Sequence, residues 1–276
     1  MKKFTVSQNE DLKTFTDNVY PQGSFAYARL LRDRDIRVNG QRTGKNIPLR
    51  TGDEVVYYTT VREEGVPAFE RVYEDENILV ADKYSGVNSE ALFFALSSEG
   101  ELYFIHRLDR NTAGLIVFAK NRAAEQALLK AFRTRKVKKT YLAVCVGAFE
   151  RSFGVMNAYL VKNARAAHVQ IYSEPQKGAE KITTEYSVLE NGGEYSLVQI
   201  VLHSGKTHQI RAHMAHIGHP VAGDEKYGCE AFNRRYGVRR QLLVAKYLAI
   251  EADGVLSCLR GKIFASRFSP DLPKKS

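Results

Sequence analysis

Apolar and polar positions change period several times along the chain. From Phe25 to Asp35 the segment FAYARLLRDRD places Ala26, Leu30 and Leu31 at helical spacing, with Arg29 and Arg32 three apart on the outer face. This predicts a helix with a basic surface. The extended triplet Ile36-Arg37-Val38 runs into Asn39-Gly40, a two-residue turn signal, and a second extended segment covers Asp53 to Tyr58 after the Thr51-Gly52 break. Residues 1–60 therefore read as a helix feeding a small hairpin-like sheet. The polar stretch VREEGVPAFER (61–71), with Gly65 and Pro67, is the expected linker.

A larger domain is expected over 72–270, with a loose tail at 271–276. Its runs ILVA (78–81), LIVFA (115–119) and YLAVCV (141–146) predict buried strands, and ITTEYSVLENGGEYSLVQIVL predicts two strands around Asn191-Gly192-Gly193. Between them, Asn121 to Phe132 sets Ala124, Ala127, Leu128 and Ala131 on one helical face. The pattern gives an α+β chain. A small helix-plus-hairpin domain precedes a mixed, largely antiparallel sheet with flanking helices.

Charge narrows the partners. The 276 residues carry 41 Lys and Arg against 31 Asp and Glu, a net charge of +10. That balance suits a polyanion, either nucleic acid or an acidic membrane surface. The predicted helix at 121–132 runs directly into Arg133, Arg135, Lys136, Lys138 and Lys139, which repel unless an anion lies nearby or the helix carboxyl terminus holds them. No segment is long and apolar enough to span a bilayer, and the amino terminus has no apolar block after its lysines, so a cytoplasmic protein is expected. Cys145, Cys229 and Cys258 are far apart and form no CxxC pair, so neither a disulfide framework nor a thiolate metal site is indicated.

Three stretches concentrate reactive side chains: IHRLDRNTAGL, KKTYLAVCVG and LHSGKTHQIRAHMAHIGHPVAGDEKYG. The first sets Asp109 among His106, Arg107 and Arg110, directly before a buried run. Taken alone it reads as a salt-bridged turn, Tyr141 as a sheet aromatic, and His203, His208, His213, His216 and His219 as structural hydrogen-bonders. The histidines lack HExxH spacing and a cysteine partner, so no metal is expected. Ile210, Met214 and Ile217 form an apolar stripe, which predicts a helix carrying Arg211 on a neighbouring face.

Taken together and in this order, HRLDxxTxG, KxYxAxxxG and GKTHQIRxHMAxIGHPxxGDxKYG resemble the HRLD-motif family of RNA pseudouridine synthases. LLRDRDIRVNG with IPLRTGDEVVYY resembles the small RNA-binding domain first known from ribosomal small-subunit protein four. The resemblance implies isomerisation of uridine to pseudouridine in structured RNA, ribosomal RNA before transfer RNA, by a monomer without cofactor. It implies Asp109 as nucleophile, Arg211 as the guanidinium keeping that carboxylate ionised, and Tyr141 stacked on the flipped uracil. It assigns His106 and Arg107 to the RNA, and Arg29, Arg32, Arg135, Lys138 and Lys206 are the expected phosphate contacts.

Two rivals make different demands. A non-catalytic RNA-binding protein has no use for a carboxylate, which repels phosphate. A glycoside hydrolase wants a second acid near the first, for which Asp224 and Glu225 are available. The chain also departs from the family pattern. DKYSGVNSEAL has Tyr84 where proline is usual and no following histidine; Ala113 stands for serine, Lys206 for arginine, and LVA (243–245) for LHA.

Overall fold

The computed structural model describes residues 1–59, 68–163 and 168–272. The chain forms two compact units, Met1–Arg110 with Ile116–Glu125, and Asn111–Leu115 with Gln126–Ser276.

The first unit opens with β1 (Lys2–Thr5), β2 (Glu10–Asp11), α1 (Leu12–Val19), α2 (Pro21–Phe25) and α3 (Tyr27–Arg32). It continues through β3 (Ile36–Val38), β4 (Gln41–Thr43), β5 (Pro48–Leu49) and β6 (Glu54–Tyr57). A four-stranded sheet has the order β1-β6-β3-β4, and β2 pairs with β5. Asn39 and Gly40 both have positive φ, 49° and 78°, as the tight β3–β4 hairpin requires. Val6, Leu12, Phe15, Leu30, Ile36 and Tyr57 fill the core, and each large apolar side chain buried there contributes about 1.5–3 kcal/mol. The helix expected from Phe25 to Asp35 is instead two short helices joined at Ala26. Pro21 at the first position of α2 starts helical backbone earlier than the apolar spacing indicates.

Residues 61–67 of the expected linker lie outside the described residues, while Phe69–Arg71 already belong to β7 (Phe69–Glu74). β7 pairs antiparallel with β8 (Ile78–Lys83), whose six residues are all buried. Asn88 caps α4 (Ser89–Ser97), accepting from the amides of Glu90 (2.8 Å) and Ala91 (3.0 Å). β9 (Tyr103–Phe104) pairs antiparallel with the end of β10 (Ala113–Ala119), where Phe93, Phe104 and Phe118 cluster.

β10 is buried along its whole length, which is why it reads as an unbroken apolar run rather than an alternating one. It leads into α5 (Arg122–Arg133), whose Ala124, Leu128 and Ala131 are buried as the helical spacing predicts.

The second unit contains β11 (Val137–Val146), β12 (Phe153–Asn163), β13 (His168–Tyr172), β14 (Glu180–Asn191) and β15 (Tyr195–Leu202). After α6 (Gln209–His216) and α7 (Glu230–Arg235) come β16 (Leu243–Ile250) and β17 (Ile263–Ala265). The strand order is β13-β12-β14-β15-β11-β16, with β17 also on β16. The ladders are antiparallel except where Ala113 and Gly114 of β10 run parallel to Val244 and Ala245 of β16, so the sheet is mixed, as expected. Among the described residues no helix is long and apolar enough to cross a membrane.

Ala245 is the registration point of this unit. It pairs with Tyr141 on one side and with Gly114 on the other, so the three lie in one row across β11, β16 and β10. Gly114 has φ +113°, and a Cβ built there falls 2.3 Å from the Ala245 carbonyl oxygen. Only glycine satisfies both restrictions. Gly114→Ala is therefore expected to cost about 2–3 kcal/mol and to lower the melting midpoint by roughly 4–10 °C. An unchanged midpoint in a thermal melt refutes this reading.

Candidate active site

In the first unit the backbone on both sides of Asp109 is held by buried side chains. Ser89 Oγ donates to the Leu108 carbonyl (2.9 Å) and accepts from the Leu108 amide (3.1 Å). Lys83, fully buried, donates from Nζ to the carbonyls of Tyr84 (3.1 Å), Val87 (2.9 Å) and Arg110 (3.1 Å). The Arg110 carbonyl also accepts from the Gly86 amide (2.9 Å), and Arg110 Nε donates to the Gly86 carbonyl (3.0 Å). The remaining guanidinium edge donates to the Ser24 carbonyl. The segment DKYSGVNS thus grips the turn that presents Asp109, and neither Lys83 nor Ser89 stood out in the sequence.

Burial pulls the Lys83 pKa down to about 7, while the charge of Asp109 pulls it up and that of Arg110 pulls it further down. Three carbonyl oxygens solvate the amine in place of water, which is what makes the burial tolerable.

The neighbouring predicted residues have their own partners. His106 Nε2 accepts from the Val117 amide (3.1 Å), anchoring the turn to β10, a structural job that the sequence did not reveal. Arg107 is exposed and paired with Glu90 (2.7 Å). Arg29 is drawn onto Asp35 (2.6 Å), whereas Arg32 pairs with the adjacent Asp33 and is 74% exposed at the side chain. Of the two helix arginines, Arg32 is the more available to a polyanion.

In the second unit Tyr141 is buried on β11, flanked by Ile200 and Ala245. Arg211 stands on α6 and points both Nε and one Nη at Asp224, 2.6 and 2.9 Å away. Asp224 also accepts from the amides of Lys226 (2.8 Å) and Tyr227 (3.1 Å). Burial raises the Asp224 pKa, but the Arg211 hydrogen bonds and charge, with the two amides, outweigh it and hold the carboxyl below its ordinary range. Asp224 is therefore the orienter of Arg211, which accounts for one of the two acids a hydrolase reading would recruit.

The helix itself is tied down by Gln209, whose Nε2 donates to the Thr183 carbonyl (3.1 Å) and Thr184 Oγ1 (3.0 Å). Its Oε1 accepts from Ser204 Oγ and the Lys206 amide, so the SGK loop and the Arg211 helix move as one piece. The Lys206 ammonium is on Glu180.

The histidines occupy separate settings. His203 is on Glu185, His208 on the Tyr227 hydroxyl, His213 on Thr184, and His219 stacks on Phe149 at 3.8 Å. His213 is held neutral by burial, its pKa down to about 4.

Two of the departures from the family pattern are one change. Ala113 and Val244 are direct partners across β10 and β16. Where serine and histidine are usual, both positions are apolar together, so neither change leaves its partner's polar group unsatisfied.

Asp224→Ala takes the two-point carboxylate away from the buried Arg211 guanidinium and is expected to cost about 3–5 kcal/mol in denaturant titration; a loss below about 1 kcal/mol contradicts the orienting role. Lys83 makes a pH-dependent prediction. Its native pKa lies below the value near 10.4 of an unfolded lysine, so between about pH 7 and 10 the unfolded chain binds more protons and stability rises with pH. Relative to Lys83→Met, the wild-type protein is expected to gain stability across that window. Parallel pH curves for the two proteins contradict the assignment.

Residues 77–216 match the family described as RNA pseudouridylate synthase. The chain is 33% identical over 261 residues to the ribosomal large subunit pseudouridine synthase C of Escherichia coli (strain K12), covering 84% of this chain and 82% of that protein. It is 32% identical over 249 residues to an uncharacterized RNA pseudouridine synthase of Aquifex aeolicus (strain VF5), covering 80% and 78%. Among solved structures, human RNA pseudouridylate synthase domain containing 1 superposes with a TM-score of 0.58 at 30% identity, covering 67% of this chain and 79% of that one. The motifs, the mixed sheet and these likenesses agree, and the chain belongs to the RNA pseudouridylate synthase family.

Proposed function

We propose that this enzyme isomerises uridine in ribosomal RNA of the large subunit, with Asp109 as the nucleophile. The target class is supported by the relatives named as ribosomal large subunit pseudouridine synthases. The observation that carries the nucleophile assignment is the pair of buried clamps, Ser89 on Leu108 and Lys83 on Arg110, which immobilise the backbone either side of one carboxylate.

The reaction moves one bond within one nucleotide. The bond from ribose carbon 1 to base nitrogen 1 breaks, the freed uracil rotates, and base carbon 5 bonds to ribose carbon 1. Carbon 5 then gives up its proton and nitrogen 1 gains one, so atoms balance without water or a redox partner. An ester at ribose carbon 1 and an elimination supported by the carboxylate both need Asp109 ionised. Arg211, which Asp224 orients, is the guanidinium that the family resemblance assigns to the reaction.

Tyr141 offers a ring for the flipped uracil and a phenol oxygen for the carbon-5 proton. His106 and Arg107 brace the RNA where the uridine leaves its stack. The amino-terminal helix and hairpin form the second RNA-binding module, with Arg32 and Arg29 toward the phosphates, while Arg135, Lys138 and Lys206 serve the backbone near the target. The overall positive charge matches a polyanionic partner of this kind.

Purified protein incubated with unmodified large-subunit RNA is expected to form pseudouridine at discrete positions. Asp109→Asn is expected to lower the rate by about three orders of magnitude or more while changing RNA affinity less than about threefold. Pseudouridine formation by Asp109→Asn at a near wild-type rate overturns the nucleophile assignment.

A further inference from the structure

The second unit contains a cavity of about 370 Å³ beside the amino-terminal end of β11. Its lining includes Arg135, Lys138 and Lys139, with the loop His203-Ser204-Gly205 on the opposite side. Glu185 is the one acid in that lining, and it is paired with His203 at 3.1 Å. Three fixed cations thus face a space with a single, already engaged carboxylate. Among the described contacts the Lys139 ammonium lies 5.4 Å from the centre of the Phe132 ring, with no carboxylate on it. A Cβ at Gly205 would fall 2.8 Å from Lys139 Nζ, so the amine sits directly over the glycine of the SGK loop.

Two further observations indicate that the cavity is built for an anion. Arg135 has φ +59°, in the left-handed region where the chain leaves α5, at a position where glycine is the unstrained choice. Keeping an arginine there accepts backbone strain in exchange for a cation at the rim, the pattern found where strain serves function. Lys139, in the lining, lies on β11 two residues before Tyr141, a rise of about 6.6 Å along the strand. Burial also lowers the Lys139 pKa, which an anion in the cavity would reverse.

We propose that this cavity holds a backbone phosphate of the RNA strand next to the target uridine, with Lys139 as its central contact and Arg135 and Lys138 at the rim. The proposal rests on the RNA-modifying reading above and assigns it a specific anchor. The bound phosphate fixes the strand relative to Tyr141, so Lys139 acts on binding and position rather than on bond making. Glu185, the acid in the lining, lowers the affinity for an anion.

The test measures binding of an unmodified large-subunit RNA transcript by the full chain over a range of salt concentrations. Lys139→Gln is expected to weaken binding about tenfold near 0.1 M salt and to flatten the slope of log affinity against log salt by about 0.7–0.9, the signature of one lost phosphate contact. Lys139→Arg is expected to restore affinity to within about threefold. Arg135→Gly is expected to weaken binding while raising the melting midpoint, since glycine relieves the strain, and Glu185→Gln to tighten binding.

A folded Lys139→Gln protein with an unchanged salt slope overturns the proposal. If Lys139→Gln fails to fold, Arg135→Gly decides, and unchanged affinity in that variant overturns it. If wild-type protein converts no uridine but these slopes change, the enzymatic reading fails and the phosphate site stands.

Discussion

A lysine ammonium with no access to water must be solvated by the protein or give up its charge. Lys83 meets this constraint with three backbone carbonyls, and its choice of carbonyls determines much else. Two belong to the loop that follows β8 and the third to Arg110, so solvating the amine forces the loop and the Asp109 turn together. Gly86, with φ +89°, lets the loop fold back far enough for its amide to reach the same Arg110 carbonyl. The Asp109 carboxylate, the proposed nucleophile, therefore sits on a backbone that cannot relax without exposing or orphaning a buried amine.

The second unit treats Arg211 by the same logic with the charges exchanged. A buried guanidinium needs an acid, and Asp224 meets two of its nitrogens while its own oxygens take two backbone amides. Gln209 then ties the helix carrying Arg211 to Thr183, Thr184 and the SGK loop. Each unit thus fixes its own charged side chain by hydrogen bonds within that unit. For a reaction in which one bond breaks and another forms at a single carbon, such preset geometry is a main lever on the rate.

Elements with a strong local signal were legible in the sequence: the buried run of β10, the amphipathic α5, the Asn39-Gly40 hairpin and the apolar stripe of α6. Long motifs identified the chemistry because their spacing encodes function rather than propensity. The β12–β13 hairpin was missed, since β12 is largely exposed or half-buried and its apolar residues do not alternate cleanly. The break at Ala26 was hidden because α2 begins from a proline before the apolar period starts. Lys83 was invisible for a deeper reason. A lysine at the end of an apolar strand looks like a solvated boundary, and only tertiary structure brings carbonyls from residues 84, 87 and 110 to one amine. The pairing of Ala113 with Val244 is likewise a fact of register.

The most direct test of the central claim is a transcriptome-wide pseudouridine map in cells with the gene, without it, and with it restored. The enzyme described above predicts that one or a few uridines of large-subunit ribosomal RNA lose their modification on deletion and regain it with the wild-type gene. A map that is identical in all three strains would contradict it.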